Sequence, residues 1–301
     1  MSTIILLGAG ASFGSKEVEP SLPPLGPDLF DGLVEQGGIA ATLPNRIKAI
    51  FKEDFEAGMM EYYDYSNGNV MRFQRELAKY LVKYKPKEGN LYIKLIMAIN
   101  TKRVIFVSLN YDLLLEEAIL SIGKNFTYSD KATGNEVRIL KIHGSSNFWP
   151  EHPPGSVFHN ITIADSGGSD YESRVKPLNQ ADAERKCYLD KEFSPAIAMF
   201  ARGKMVKVCS KFVEKQREMW LEKLKKARIV IVIGVKVHEV DDHIWGELGK
   251  SKSSVFYFGG ESDKEAFYTW KLKHKKHNAY FNCGFFDSAL EYIKKIFKKK
   301  K

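Results

Sequence analysis

The chain has 301 residues, of which 44% are apolar and 28% charged. That is the composition of an ordinary globular protein, and it excludes a disordered chain, a collagen and a coiled coil. No apolar run reaches the ~18 residues of a membrane-spanning helix. The run Ile4 to Leu7 is too short, and lacks the basic flank, for a signal peptide. Three widely spaced cysteines (Cys187, Cys209, Cys283) supply neither a disulfide framework nor a CxxC metal knuckle, so a reducing cytosol is the expected setting.

The net charge of +9 is concentrated at one end. From Lys271 to Lys301 ten lysines stand against Asp287 and Glu291, in the runs KLKHKKH and KKIFKKKK. Such a basic edge over 271–301 is either a solubilising, frayed tail or a contact for nucleic acid or an acidic partner. No helix-turn-helix, zinc-finger or RNP pattern accompanies it.

The first predicted element is a buried strand, Thr3 to Leu7, which runs into Gly8-Ala9-Gly10-Ala11-Ser12. The prolines of SLPPLGPDLF predict irregular structure. Helical patterning follows to about Asn100, with Val70, Phe73, Leu77, Tyr80, Leu81 and Tyr84 on one face and Tyr92, Leu95, Ile96 and Ile99 on the next. Arg103 to Leu109 reads as a buried parallel strand, followed by a helix from Leu113 to Ile122. Val137 to Ile142 is the next strand, closed by His143-Gly144. From Pro150 to about Pro195 the chain is polar and weakly periodic, as in an insertion or loop region. Phe212 to Leu224 is helical. Ile229 to Ile233 is the most hydrophobic strand and ends at Gly234. Short strands at Val255 to Phe258 and Ala279 to Phe281 precede a last helix from Ser288, capped by Asp287.

Strands alternating with helices predict an α/β fold, a Rossmann-like parallel sheet flanked by helices. One domain is expected over 1–301, with a helical insertion at about 31–100 and a variable one at about 150–215. In open parallel sheets ligands bind beyond the carboxyl ends of the strands. Here those ends carry Gly8-Ala9-Gly10, Asn110-Tyr111-Asp112, His143-Gly144 and Gly234.

As a dinucleotide fingerprint GAGAS is incomplete, because GxGxxG from Gly8 requires glycine where Phe13 stands. A hydride-transferring enzyme is therefore disfavoured, although glycines beside a helix start still suit phosphate. Asn110 and Asp112 are read either as ligand contacts or as caps of the next helix. His143 is read either as a base or as a structural imidazole. His238, His243, Asp241 and Asp242 follow no recognised zinc spacing. Trp220 and Trp245 are expected in the core, and Trp149 as a pocket wall. His152, His159, His274 and His277 are expected at the surface.

Taken in order, GAGAS, NYD after a strand and HG after the next strand resemble the sirtuin family, and within it the bacterial SIR2-like NAD-degrading proteins of anti-phage defence. The late segment IVIVIGVKVHEVDDHIW is similar to that group's adenosine-side strand and loop, which adds Gly234 and Val235 to the cofactor-binding set. The resemblance spans Ile4 to about Trp245. It implies a SIR2-like fold in which Gly8, Ala9, Gly10, Ala11 and Ser12 meet the phosphates of NAD. Asn110 would hold water or ribose hydroxyls, Tyr111 and Gly144 would line the site, Asp112 would orient the carboxamide, and His143 would be the general base. The chain departs from protein-deacylating sirtuins in having no paired CxxC, so their zinc module is absent and no metal is expected. Lys236 also stands where many relatives place a small hydroxyl residue.

The resemblance thus implies cleavage of the nicotinamide–ribose bond of NAD, its substrate, to nicotinamide and ADP-ribose. It implies a toxic effector held inactive until a regulatory partner protein or oligomer assembly releases it. A cyclised product, an NAD- or ADP-ribose-binding sensor without turnover, and an NAD-dependent deacylase remain as rivals.

Overall fold

In the computed structural model, residues 2–152, 171–198, 206–238 and 241–298 are described. The sequence's alternation of apolar runs and amphipathic stretches folds into one seven-stranded, all-parallel sheet. Its strands are β1 (Ser2–Leu7), β4 (Val104–Ser108), β5 (Phe126–Thr127), β6 (Val137–Lys141), β9 (Ala227–Ile233), β10 (Ser254–Gly259) and β11 (Ala279–Cys283). Their order across the sheet is β11-β10-β9-β1-β4-β6-β5. Two small antiparallel pairs lie outside it: β2 (Val18–Glu19) with β3 (Lys85–Pro86), and β7 (Phe148–Pro150) with β8 (Val175–Pro177).

The central strands are β-branched and apolar because both faces are covered. Along β1, Ile5 and Leu7 enter one core with Phe106 and Ile231, while Ile4 and Leu6 enter a second core with Val107 and Val232. Two separate cores on the two faces define three layers, helix on sheet on helix. Register is fixed by this alternation, with Ile5 opposite Phe106 on one side and Ile231 on the other.

The strand order sets the site. From β1 the chain adds β4, then the edge strand β5, and then β6 between those two. It then returns to β1's other edge with β9 and builds the opposite way through β10 and β11. The reversal between β1 and β9 is a switch point, where loops leave towards opposite faces and open a crevice.

Between β1 and β4 the chain is mainly helical, with helices at Gly26–Gln36, Ile39–Thr42, Asn45–Glu53, Phe55–Tyr65, Met71–Leu81 and Leu91–Ala98. Helix Met71–Leu81 buries Phe73, Gln74, Leu77, Ala78 and Leu81, the face that the i, i+3, i+4 spacing predicts. Pro27 does not break regular structure as expected from the proline cluster. It sits in the first turn of Gly26–Gln36, where its missing N–H has no helical partner to lose. The stretch expected as an irregular insertion contains β8 and the helix Gln180–Leu189, capped by the Asn179 side chain on the amide of Asp182.

The last helix, Phe286–Lys298, starts two residues earlier than expected, so Asp287 lies in its first turn and pairs with Lys16. The basic edge is more than a frayed tail. Lys271 and Lys273 end the helix Lys264–Lys273, and the Lys271 ammonium donates to the carbonyl of Ala279 at 2.7 Å. Lys276 is buried and donates to the carbonyl of Ser251. No helix among the described residues is long and apolar enough to cross a membrane.

Candidate functional site at the switch point

Three glycines close the floor of the crevice. The amide of Gly8 donates to the carbonyl of Ile233, and that of Gly10 to the carbonyl of Gly234, both at 3.0 Å. Gly234 sits at φ +63°, a conformation that side chains resist, and a Cβ there would run into the backbone of Gly10 and Ala11. A Cβ on Gly10 would stand 2.8 Å from the Cα of Gly234. Gly8 is just as confined, by the Gly234 carbonyl and Val235. The loops after β1 and β9 therefore lie backbone on backbone, which only glycine at these positions permits.

This seam changes how GAGAS is read. The amides of Gly8 and Gly10 bond across to β9 and its loop, and the amide of Ala11 turns back to the carbonyl of Gly8 at 2.9 Å. Gly8, Ala11 and Ser12 are buried, whereas Ala9 is exposed. Of Gly8 to Ser12, Ala9, the first residue of the short helix Ala9–Phe13, is exposed and Gly10 is half-buried. Val235 is buried against the second core.

Asn110 follows β4 and turns back across the seam. Its Nδ2 donates to the carbonyl of Gly8 at 2.9 Å and to Oγ of Ser12 at 2.8 Å. Ser12 Oγ in turn shares a 3.1 Å hydrogen bond with the Tyr92 hydroxyl. Burial holds that phenol well above its usual range, so the contact is neutral. The second terminal atom of Asn110, Oδ1, is buried with no hydrogen-bond partner. A buried acceptor left unpaired costs about 1–3 kcal/mol, which makes it a natural seat for a ligand hydroxyl or a water.

Tyr111 and Asp112 have other surroundings. The Tyr111 hydroxyl donates to the carbonyl of Ala198 at 3.0 Å. Asp112 accepts from the amide of Leu114 at 3.1 Å, at the start of helix Leu114–Ser121, and its carbonyl accepts from the Lys141 ammonium at 2.7 Å. Asp112 thus serves the first amide of that helix from one place before its N-cap, Leu113.

His143, at the end of β6, is 5% exposed, and its Nε2 lies 2.7 Å from Nε2 of His243. The rings are tilted by 38°. Nδ1 of His243 faces Oδ1 of Asp241 at 4.0 Å. Gly144 is needed for two reasons, its φ of +82° and the approach of Ala196, whose carbonyl a Cβ would strike. The backbone crowding Gly144 belongs to this chain, since residues 196–198 run antiparallel along 143–145 through Ala198 N to His143 O and Ser145 N to Ala196 O.

Other sequence expectations resolve in varied ways. Trp220 and Trp245 are in the core, and Trp149, also buried, donates to the carbonyl of Ser146 at 3.0 Å. His152 is half-buried, 3.0 Å from the Tyr171 hydroxyl, not a surface residue. His159 lies outside the described residues. Among the described residues no three His, Cys, Asp or Glu side chains converge as a metal site. The first turn of helix Asp242–Lys250 faces two ways: His243 reaches His143, and Asp242 lines a cavity of about 390 Å³ with His238, Trp245 and Trp270. Sequence spacing did not reveal His243 as a partner of His143, because the two are a hundred residues apart and meet only through the sheet.

No protein-family model matches the chain, and no curated protein matches it. Among solved structures it is similar to a chain described as "Structural Basis for the Mechanism and Regulation of Sir2 Enzymes". The two share 11% identity with a TM-score of 0.44, over 99% of this chain and 92% of that one.

Proposed function

We propose that this chain binds NAD at the β1/β9 switch point and hydrolyses its nicotinamide–ribose bond. The observation that carries the reading is Asn110. Its Nδ2 is fixed to Gly8 and Ser12, and its buried Oδ1 has no partner in the structure. An oriented acceptor of this kind suits a ribose hydroxyl or the attacking water. The ordered motifs GAGAS, NYD and HG, which resemble SIR2-like proteins, support the same substrate, as does their common placement at the carboxyl ends of the parallel strands.

The chemistry follows from the bond. Nicotinamide leaves with the electron pair of the C1′–N bond and becomes neutral. The ribose passes through an oxocarbenium-like state, as in glycoside hydrolysis. Water adds to C1′, and its proton passes to His143 as general base. The glycine seam lets the ligand lie close to backbone at Ala9, and Asp112 orients the carboxamide. An enzyme that destroys an essential cofactor must be held off, so in this reading a partner protein or self-assembly releases the activity during phage infection.

The test is the fate of NAD. Purified chain is incubated with NAD, alone and with the proteins encoded beside it, and nicotinamide and ADP-ribose are followed by chromatography. Release from the parent, reduced on the order of 10²-fold or more in His143→Ala, is the expected result. NAD that binds but is left intact under every combination overturns the reading.

A further inference from the structure

We propose that the chain carries a second binding site, a cavity at the β5 edge of the sheet that takes a small organic cation, an amine or amidine with an apolar body, against Glu116 and Glu117. The site lies apart from the crevice, since β6 and β4 stand between β5 and β1. Its occupation is independent of the hydrolase reading above.

The cavity is framed by β5 and the turn after it, by helix Leu114–Ser121 and by helix Ser210–Lys226. Its volume of about 930 Å³ is within the range of small-molecule pockets. Leu120, Phe126, Phe212 and Met219 supply apolar wall. Among the described residues that line it there is no histidine or cysteine, as suits a site that binds rather than reacts.

The polar wall decides the chemistry of the occupant. Its buried donors are engaged within the chain. Gln180 Nε2 donates to the carbonyls of Val82 at 2.6 Å and Tyr84 at 2.9 Å. Asn147 Nδ2 donates to the Tyr128 hydroxyl at 3.1 Å and to the carbonyl of Leu178 at 2.9 Å. Gln216 Nε2 donates to the carbonyl of Tyr128 at 2.9 Å, and the Tyr128 hydroxyl donates to Oε1 of Glu116. The group left unserved is an acceptor. Oε2 of Glu116, on a side chain only 2% exposed, has no hydrogen-bond partner. Burial without a partner costs free energy that the N–H of a ligand in this cavity would recover.

Charge points the same way. Lys141 balances Glu116 at 3.3 Å. Glu117 is half-buried in the same wall, and its burial and the neighbouring Glu116 hold its carboxyl above the usual range despite Lys85. One carboxylate is therefore in excess, and a single positive charge would balance it. Asp130 is already paired with Lys223, and Glu136 accepts from the amide of Thr133. Lys131 and Lys215, also in the lining, are exposed, so water and salt screen them. An amidinium suits the site because it presents two parallel N–H groups to a carboxylate.

Benzamidine is the probe, with benzoate and benzyl alcohol as its anionic and neutral counterparts. Titration calorimetry on the full chain is expected to show saturable binding of benzamidine alone. Glu116→Gln is expected to weaken it about tenfold or more, the scale of one hydrogen bond to a charged group. Glu117→Gln, at the half-buried position, is expected to weaken it several-fold, and it decides the matter if Glu116→Gln does not fold. An affinity equal to the parent's in either folded variant overturns the proposal. So does benzoate or benzyl alcohol bound as tightly as benzamidine, or a folded parent chain that shows no saturable benzamidine binding at millimolar concentration.

Discussion

Nδ2 of Asn110 donates to the carbonyl of Gly8 at 2.9 Å and so ties the end of β4 to the end of β1. Nothing else about Asn110 is as constrained. Both terminal hydrogens are directed at fixed oxygens, and the opposite atom, Oδ1, is buried with no hydrogen-bond partner.

Replacing Asn110 with Asp therefore has a defined sign. A carboxylate oxygen in place of Nδ2 meets the Gly8 carbonyl with no hydrogen to share. Asn110→Asp is expected to lose about 1–3 kcal/mol of stability in denaturant unfolding. NAD cleavage is expected to fall in both Asn110→Asp and Asn110→Ala. A stability equal to the parent in Asn110→Asp would show that Nδ2 does not hold the seam.

The glycine seam gives a paired prediction. Gly123 and Gly234 both have positive φ, but around Gly123 there is open space. Gly123→Ala is expected to cost only the left-handed strain, about 1–2 kcal/mol. Gly234→Ala adds a collision with the Gly10 and Ala11 backbone, and is expected to be clearly more destabilising in a thermal melt. Equal melting temperatures for the two variants would refute the backbone-on-backbone packing.

Glu116 and Lys141 form a buried pair at 3.3 Å, each nearly inaccessible, with the Tyr128 hydroxyl donating to Glu116 at 3.1 Å. Burial pushes the Glu116 carboxyl above its usual range despite Lys141. A carboxyl whose folded pKa is raised binds more protons in the folded state. Its contribution to stability therefore falls as pH rises from the ordinary carboxylate range through its own higher value. Unfolding at a series of pH values is expected to show the Glu116→Gln chain gaining on the parent across that window. A constant gap would remove Glu116 as the source. Lys141→Ala leaves the carboxylate without its partner and is expected to cost about 3–5 kcal/mol near neutral pH.

Cys187 and Cys209 are buried and Cys283 is exposed. A thiol reagent is expected to modify Cys283 first in the native chain. The Glu261 carboxylate beside it holds the thiol above its usual range, which is expected to slow the reaction. Glu261→Gln is expected to speed labelling, read by mass spectrometry at short times, and an unchanged rate would show that Glu261 does not restrain the thiol.

The strands of the sheet centre were legible because burial on both faces forces unbroken apolar runs, as in IVIVI. The two-residue edge strand Phe126–Thr127 was not, since so short a run has no pattern. Helix Gln180–Leu189 escaped because its sequence, QADAERKCYL, has only a weak apolar face and buries Gln180, Ala183 and Cys187. At the site, the residues at strand ends could be named from sequence, but their contacts could not. Gly10 touches Gly234, and His143 touches His243, only because β9 returns beside β1. Such long-range encounters are properties of the topology rather than of any window of residues.

The strand order also bears on how the chain is made. β1 emerges before β4, yet its other edge waits for β9, more than two hundred residues later. Until the ribosome has delivered that segment, an apolar strand presents unpaired amides and carbonyls, a template for joining other chains. A chain interrupted before Ala227 would lack both the cover for that edge and the Gly234 half of the crevice. Truncated products of this protein should therefore be found in aggregates, or with chaperones, rather than as inactive soluble fragments.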